Sequence, residues 1–148
     1  MGSLQSNEQV TLDNFIGQKR LIEILRISIA AAKMRSELMG HILLKGPRGS
    51  GKRTLAYAVA EEIGNGVKTV SAKTIQSLSD LAAVLTNLNT GEVLILENLE
   101  AINHSCIDFL SDAMGSFAME TIVGKGLSSR TVRLDLSKFT LIAITDTA

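Results

Sequence analysis

The segment from Gly46 to Lys52 has the residue types and spacing of a phosphate-binding loop. Its sequence, GPRGSGK, matches the pattern G-x-x-x-x-G-K. Glycines allow the backbone to curl so that several N–H groups point at phosphate oxygens, and the final lysine reaches the β- and γ-phosphates. The pattern is short, and an ordinary glycine-rich turn with a surface lysine would match it as well. The candidate phosphate contacts are Gly46, Gly49, Ser50, Gly51 and Lys52.

Arg53 and Thr54 follow the loop and bear on metal binding. The residue after the lysine is usually Ser or Thr, whose hydroxyl ligates Mg²⁺, but here it is Arg53. One step along a helix rotates a side chain by about 100°, so Thr54 cannot simply take over. Arg53 either pairs with a phosphate as a cation or is a solvated helix residue, and the sequence leaves both interpretations open.

Glu97 and Asn98 end an apolar run and are the candidate catalytic pair. Phosphoryl-transfer enzymes place an Asp there for Mg²⁺, and many ATPases add a Glu that polarises water. Glu97 is able to hold a metal through a water molecule, which makes it a weak metal ligand. Asn98 has no basic oxygen, so general-base activation is absent at that position. The alternative is that this pair is only a structural cap.

These residues are embedded in an alternation of short apolar runs and helical patterns. Strands are predicted over 41–45, 67–72, 92–97 and 139–145, and helices over 18–38, 52–63, 77–88 and 103–117. Ser77 and Asp80 are spaced as a capping box. The residues that follow one face of the first helix are Leu21, Leu25, Ser28 and Ala32. The alternation predicts an α/β fold in which a parallel sheet is covered on both faces.

A β-hairpin is predicted over 120–136. Two alternating stretches, 120–123 and 130–136, flank the glycine-containing segment 124–129. Leu127 is the large apolar residue of that segment, whose other residues are Gly, Lys and Ser. The simplest interpretation of the hairpin is an edge ribbon solvated on one face.

The composition excludes several functions. The chain has 148 residues, 15 basic and 15 acidic, so its net charge provides no strong field for nucleic acid. Aromatic residues make up 3% without any Trp, which argues against base-stacking single-strand binding. One cysteine cannot form a disulfide or a multi-cysteine zinc site within the chain. No apolar run approaches the ~18 residues of a membrane span, so we expect a cytoplasmic domain without membrane contact.

Several segments resemble the AAA+ domain of the RuvB family, the bacterial Holliday-junction branch-migration motors. The resemblance is carried by residues 11–18, 46–55, 80–87, 122–126 and 129–134. The hairpin inserted after the third-strand helix makes it specific to RuvB rather than to AAA+ proteins generally. The resemblance implies an AAA+ P-loop NTPase large subdomain over residues 11–148, preceded by a frayed tail over 1–10.

The resemblance also implies roles for individual residues. Ile16 and Gly17 would lie beside the adenine of ATP or ADP. Gly49, Gly51, Lys52 and Thr54 would line the phosphates. Thr145 would be the sensor residue beside the γ-phosphate. The hairpin would dock onto a RuvA-type partner, with Leu127 as its apolar anchor.

Departures from the family pattern cluster at metal and hydrolysis positions. The altered positions are Arg53 in place of the P-loop Thr, Glu97-Asn98 in place of Asp-Glu, Glu100-Ala101 where a basic residue is expected, and Asp146 in place of Thr. The clustering indicates a weakened Mg²⁺ site and lost catalysis. We also expect the lid and winged-helix domains to be absent from this chain, which would leave the first strand at an uncovered sheet edge.

Two functions follow from these observations. The leading hypothesis is a nucleotide-binding domain of an ATP-dependent Holliday-junction helicase in DNA recombination and repair. It would act on junction DNA indirectly, with RuvA, and in a homo-oligomeric ring if full length. The alternative is a pseudo-ATPase that serves as a nucleotide-binding or partner-docking module. A clamp-loader-type adaptor is disfavoured because those proteins lack the hairpin.

Overall fold

Helices and strands alternate along the computed structural model, which describes residues 19–35, 37 and 40–146. The elements are α1 (Lys19–Met34), β1 (Ile42–Gly46), α2 (Lys52–Ile63), β2 (Val67–Ser71), α3 (Leu78–Thr86), β3 (Val93–Glu97), α4 (His104–Ser116), β4 (Ala118–Val123), β5 (Arg130–Asp135) and β6 (Thr140–Asp146). Single-turn 3₁₀ helices lie at Ala72–Thr74, Leu99–Ala101 and Gly126–Ser128. The predicted tail over 1–10 lies outside the described residues.

Four of the strands form one parallel sheet in the order β1-β6-β3-β2. The central strands β3 and β6 are buried along most of their length. This arrangement confirms the predicted parallel sheet. Strand β1 lies at the edge of the described sheet, as expected.

Alternating residues of the central strands feed two apolar cores, one on each face of the sheet. Leu94 and Leu96 pack in a cluster with α3 and α4, whereas Val93 and Ile95 pack with α1 and α2. Full burial of such a side chain contributes about 1.5–3 kcal/mol. Helices are therefore held on both faces, as the apolar runs predicted.

Two helices show how the sequence pattern compares with the structure. The capping box of α3 is present, with Ser77 accepting from the Asp80 N–H and Asp80 accepting from the Ser77 N–H. The predicted apolar face of α1 is wrong at Ser28, which is exposed, while Ile29 is buried. Burying the larger apolar side chain is more favourable, so the helix turns Ile29 inward between Leu25 and Ala32. None of the described helices is long and apolar enough to cross a membrane.

The predicted hairpin is formed by β4 and β5, which pair antiparallel in a sheet of their own. Its turn depends on Gly124, whose φ is +96° and where an added Cβ would lie 2.8 Å from the Ser128 carbonyl oxygen. At the tip, Leu127 is fully exposed. The tip therefore presents Leu127 to solvent, and Ile122 and Leu134 are exposed on the strands of the hairpin.

His41 joins the beginning of β1 to the core beneath β6. Its Nδ1 accepts a hydrogen bond of 2.9 Å from the Leu141 N–H. The imidazole also packs against the rings of Phe117 and Phe139. Burial lowers the pKa of His41 and outweighs a hydrogen bond to the Met114 backbone, which raises it. The folded protein therefore favours neutral imidazole.

We expect His41 to make the fold sensitive to mild acid. Because its pKa is lower in the folded state, the unfolded chain takes up the proton first as the pH falls below about 6.5. Stability should be complete above that pH, decline below it, and level off beneath the folded pKa. Urea unfolding at about pH 7.5 and about pH 5.5 measures the loss. His41→Asn places a non-titrating acceptor near the position of Nδ1 and should lose less stability; an equal loss in both proteins would contradict the assignment.

Candidate functional site

The loop between β1 and α2 adopts a conformation that requires glycine. Gly49 and Gly51 have φ values of +84° and +87°, in the left-handed region that other residues rarely adopt. The Ser50 N–H donates to the Pro47 carbonyl at 3.2 Å and closes a turn inside the loop. The glycine positions predicted from the sequence therefore have a conformational basis.

The N-terminus of α2 is open toward this loop. Gly51 is the N-cap and has no side chain to cap the helix. The first helical hydrogen bond runs from the Leu55 N–H to the Gly51 carbonyl at 2.9 Å. The N–H groups of Lys52, Arg53 and Thr54 precede that bond and, with the positive end of the helix dipole, suit an anion such as phosphate.

Lys52 folds back over the loop. Its Nζ donates to the carbonyl oxygens of Gly46 at 2.6 Å and Pro47 at 2.8 Å. The same atom lies 2.9 Å from Oδ1 of Asp146, and the Lys52 side chain is only 9% exposed. An ammonium group has three N–H donors, so these three short contacts match its capacity, and the Ser50 hydroxyl lies farther away at 3.4 Å.

Asp146 stands at the end of β6, opposite Gly46 in the parallel register. Its carboxylate also lies 3.7 Å from Nε of Arg48. The hydrogen bond from Lys52 is the main reason that the pKa of Asp146 is lowered, despite some desolvation. The residue is therefore a carboxylate placed between two cations of the loop.

Glu100 fixes the end of β6 from the other side. Its Oε1 accepts from the Asp146 N–H at 3.1 Å and from the Thr145 hydroxyl at 3.2 Å. Desolvation alone would raise the pKa of Glu100, but these hydrogen bonds lower it overall. The predicted sensor Thr145 thus directs its hydroxyl to a carboxylate of the same chain.

Arg53 forms an ion pair with Glu97 across the site. Arg53 is largely exposed, whereas Glu97 is mostly buried. The sequence leaves two interpretations of Arg53 open, and the structure adds a third: Arg53 pairs with a carboxylate at the end of β3. In the part of the chain that is described, no three His, Cys, Asp or Glu side chains come together as a metal-binding group.

Asn98 follows β3 with an unusual backbone conformation. It adopts a left-handed conformation with φ 58° and precedes the turn Leu99–Ala101. Its Oδ1 accepts from the Ser71 hydroxyl at 2.9 Å. The amide thus links the ends of β2 and β3.

The remaining predicted residues fall in three places. Thr54 lies in the first turn of α2 beside the loop and is partly buried. Leu127 is at the tip of the separate hairpin. Ile16 and Gly17, predicted beside the adenine, lie outside the described residues.

Sequence reasoning missed the positions that tie these groups together. Asp146 and Glu100 were identified only as departures from a family pattern, and Arg48 and Ser71 were not identified as site residues. The signal available for Asp146 was its place at the end of an apolar strand, since the carboxyl ends of parallel strands share one edge. Its pairing with Lys52 has no signal in local spacing.

Comparison with known proteins gives one consistent result. The family model of the Holliday junction DNA helicase RuvB P-loop domain matches residues 8–148. The chain is 44% identical over 135 residues to the Holliday junction branch migration complex subunit RuvB of Chloroflexus aurantiacus, which covers 91% of this chain and 39% of that protein. It is 42% identical over 134 residues to the same subunit of Kosmotoga olearia, which covers 90% of this chain and 39% of that protein.

Solved structures agree with the sequence relatives. A mutant of Thermotoga maritima RuvB superposes with a TM-score of 0.80 at 33% identity, covering 93% of this chain and 42% of that chain. The Thermotoga maritima RuvB Holliday junction branch migration motor superposes with a TM-score of 0.76 at 32% identity, covering 92% and 41%. The chain thus spans about two fifths of the length of these relatives.

Proposed function

The chain belongs to the RuvB P-loop domain family, and we propose that it is the nucleotide-binding large subdomain of an AAA+ motor that migrates Holliday junctions. Family membership rests on the match over residues 8–148 and on the curated relatives. The fold is the corresponding α/β domain, with a parallel sheet between helices. A P-loop of this family implies nucleotide binding.

The observation that carries the nucleotide proposal is the convergence of charge at one edge of the sheet. The loop begins at the end of β1, Glu97 ends β3, and Thr145 and Asp146 end β6. Ligands of open α/β sheets bind beyond the carboxyl ends of the strands. Backbone N–H groups of the loop and of the first turn of α2 would hold the phosphates of ATP or ADP, and Lys52 would neutralise their charge.

The proposed motor would act with partners. The relatives are subunits of a Holliday junction branch migration complex, which supports a RuvA-type partner and junction DNA for this chain as well. We assign RuvA docking to the hairpin, because its tip exposes Leu127. If full length, the motor would assemble into a homo-oligomeric ring, and it would work in the cytoplasm and contact junction DNA indirectly.

A second candidate function is a module that binds nucleotide but hydrolyses it poorly. We base this alternative on the Arg53–Glu97 ion pair, in which the guanidinium engages the carboxylate that would otherwise hold the metal. These residues fit directly ligated Mg²⁺ poorly, because the usual hydroxyl is missing and the carboxylate is engaged. Asn98 offers an amide bonded to Ser71 where a general base is needed.

Replacement of the loop lysine tests nucleotide binding. Lys52→Ala removes the cation that reaches the β- and γ-phosphates and should weaken ATP and ADP binding by about tenfold or more, which corresponds to ~1.4 kcal/mol. Isothermal titration measures both affinities. Lys138→Ala, an exposed lysine outside the site, should bind like the unmodified chain. Equal affinity in the unmodified chain and Lys52→Ala would contradict the phosphate-loop assignment.

The Arg53–Glu97 pair predicts a weak response to Mg²⁺. The ion should improve ATP binding little in the unmodified chain, and Arg53→Thr should increase that gain by about tenfold because it frees Glu97 and restores the hydroxyl. ATP turnover should remain at background in both, since Asn98 is unchanged and losses at one transition state are not repaired singly.

The control for this prediction is Arg133→Thr, which breaks another exposed Arg ion pair, the one with Asp135 on the hairpin. It should leave the Mg²⁺ response unchanged. A large Mg²⁺-dependent gain in the unmodified chain that disappears in Glu97→Ala would show that Glu97 binds the metal despite Arg53. Lys52-dependent ATP turnover by the unmodified chain would contradict the poorly hydrolysing module and indicate an active ATPase.

The hairpin predicts a separable docking defect. Leu127→Asp places a charge on a fully exposed tip, so it should abolish capture by immobilised RuvA while the melting temperature stays nearly unchanged. Met34→Asp, at an exposed position of α1, should still bind RuvA. Normal RuvA binding by Leu127→Asp would remove Leu127 from the interface.

A further inference from the structure

We infer that Asp146 determines nucleotide specificity, by competing with the terminal phosphate of a triphosphate for Lys52, so that the site prefers a nucleoside diphosphate. This inference rests on the proposed nucleotide binding and names which ligand the site favours. It concerns a position where the chain departs from the pattern of the family it resembles.

The Lys52 ammonium is saturated before any ligand arrives. Its three shortest contacts are with the Gly46 carbonyl at 2.6 Å, the Pro47 carbonyl at 2.8 Å and the Asp146 carboxylate at 2.9 Å, and the Ser50 hydroxyl is a longer fourth partner at 3.4 Å. The two carbonyls belong to the end of β1 and the start of the loop, so they stay beside Lys52 when a ligand binds. A phosphate oxygen that takes a hydrogen bond from Lys52 must therefore replace or share the position of the carboxylate.

Asp146 is held where it is by the fold. It ends β6 opposite Gly46 in the parallel register, and its N–H donates to Glu100 at 3.1 Å. Arg48 adds a second cation 3.7 Å from the carboxylate. The backbone of Asp146 is thus fixed beside the loop, and its carboxylate lies between two cations, so a phosphate near Lys52 meets a negative charge.

The competition falls unequally on the phosphates. The loop's backbone N–H groups cradle the α- and β-phosphates, whereas the lysine reaches the β- and γ-phosphates. Asp146 contacts side-chain cations of the loop and leaves its backbone N–H groups untouched. The γ-phosphate, which depends most on the lysine, therefore bears the repulsion between two anions, while a diphosphate retains its backbone contacts.

A purely structural role for Asp146 makes the opposite prediction. If the carboxylate only orders the loop by holding Lys52, its removal should weaken both nucleotides together or destabilise the fold. Selective improvement of ATP binding is expected only if the carboxylate competes with the γ-phosphate. The ratio of the two affinities thus separates competition from scaffolding.

The experiment measures ATP and ADP affinities by isothermal titration at one fixed Mg²⁺ concentration. The unmodified chain should bind ADP more tightly than ATP. Asp146→Asn removes the charge but keeps the shape and the N–H that bonds Glu100, and should raise ATP affinity by about tenfold while changing ADP affinity by less than about threefold. Asp135→Asn removes the charge of an ion-paired carboxylate on the hairpin and should change neither affinity.

Other outcomes overturn the inference in distinguishable ways. If both nucleotides bind through Lys52 but Asp146→Asn shifts them equally or not at all, the specificity role is wrong and the proposed nucleotide site stands. If neither the unmodified chain nor any variant binds either nucleotide, both the proposed nucleotide site and the specificity role are wrong. Asp146→Thr, with thermal melting as a check on folding, should repeat the selective gain; tighter ATP than ADP binding by the unmodified chain would also refute the preference.

Discussion

The site depends on one constraint, the insertion of β6 between β1 and β3. Backbone pairing fixes the register, so that Gly46 stands opposite Asp146 and Ile95 opposite Ile142. Because all three strands run parallel, their carboxyl ends meet at one edge and bring distant parts of the chain together. Apolar side chains on both faces of β3 and β6 hold this arrangement in place. The phosphate loop, which follows β1, is thereby positioned by the pairing of β1 with β6.

Charge at this edge is balanced within the chain. Lys52 is matched by Asp146, and Arg53 by Glu97. Both cations precede the first helical hydrogen bond of α2, where the helix dipole disfavours positive charge, and each carboxylate offsets that cost. Lys52 also bonds the carbonyls of Gly46 and Pro47, so it is energetically coupled to the loop. A substitution in the Lys52–Asp146 pair therefore affects the loop as well as the direct partner, which is why affinity ratios are more informative than single affinities.

The sequence predicted most of the fold because the decisive signals are local. Helix α2 begins at Lys52 and ends at Ile63 as its pattern indicates, between glycines that take left-handed conformations. The face of α1 was mispredicted because a serine and an isoleucine are neighbours and only packing selects between them. The loop was also predictable, since glycine spacing reflects backbone geometry. The pairing of Lys52 with Asp146 was not, because it arises from strand order, which no local pattern encodes.

The hairpin forms a sheet of its own, apart from the strands that end beside the phosphate loop. Its strands pair only with each other among the described strands, while Ala118, Met119 and Leu136 at its base are buried. The base is thus anchored in the core on the α4 side of the sheet, and the tip extends into solvent. The contacts of Arg53 and Asn98 lie at the ends of β2 and β3 and not at this base. We therefore expect substitutions at Arg53 or Asn98 to leave the base of the hairpin in place, so the proposed docking and the proposed nucleotide site are separable by mutation.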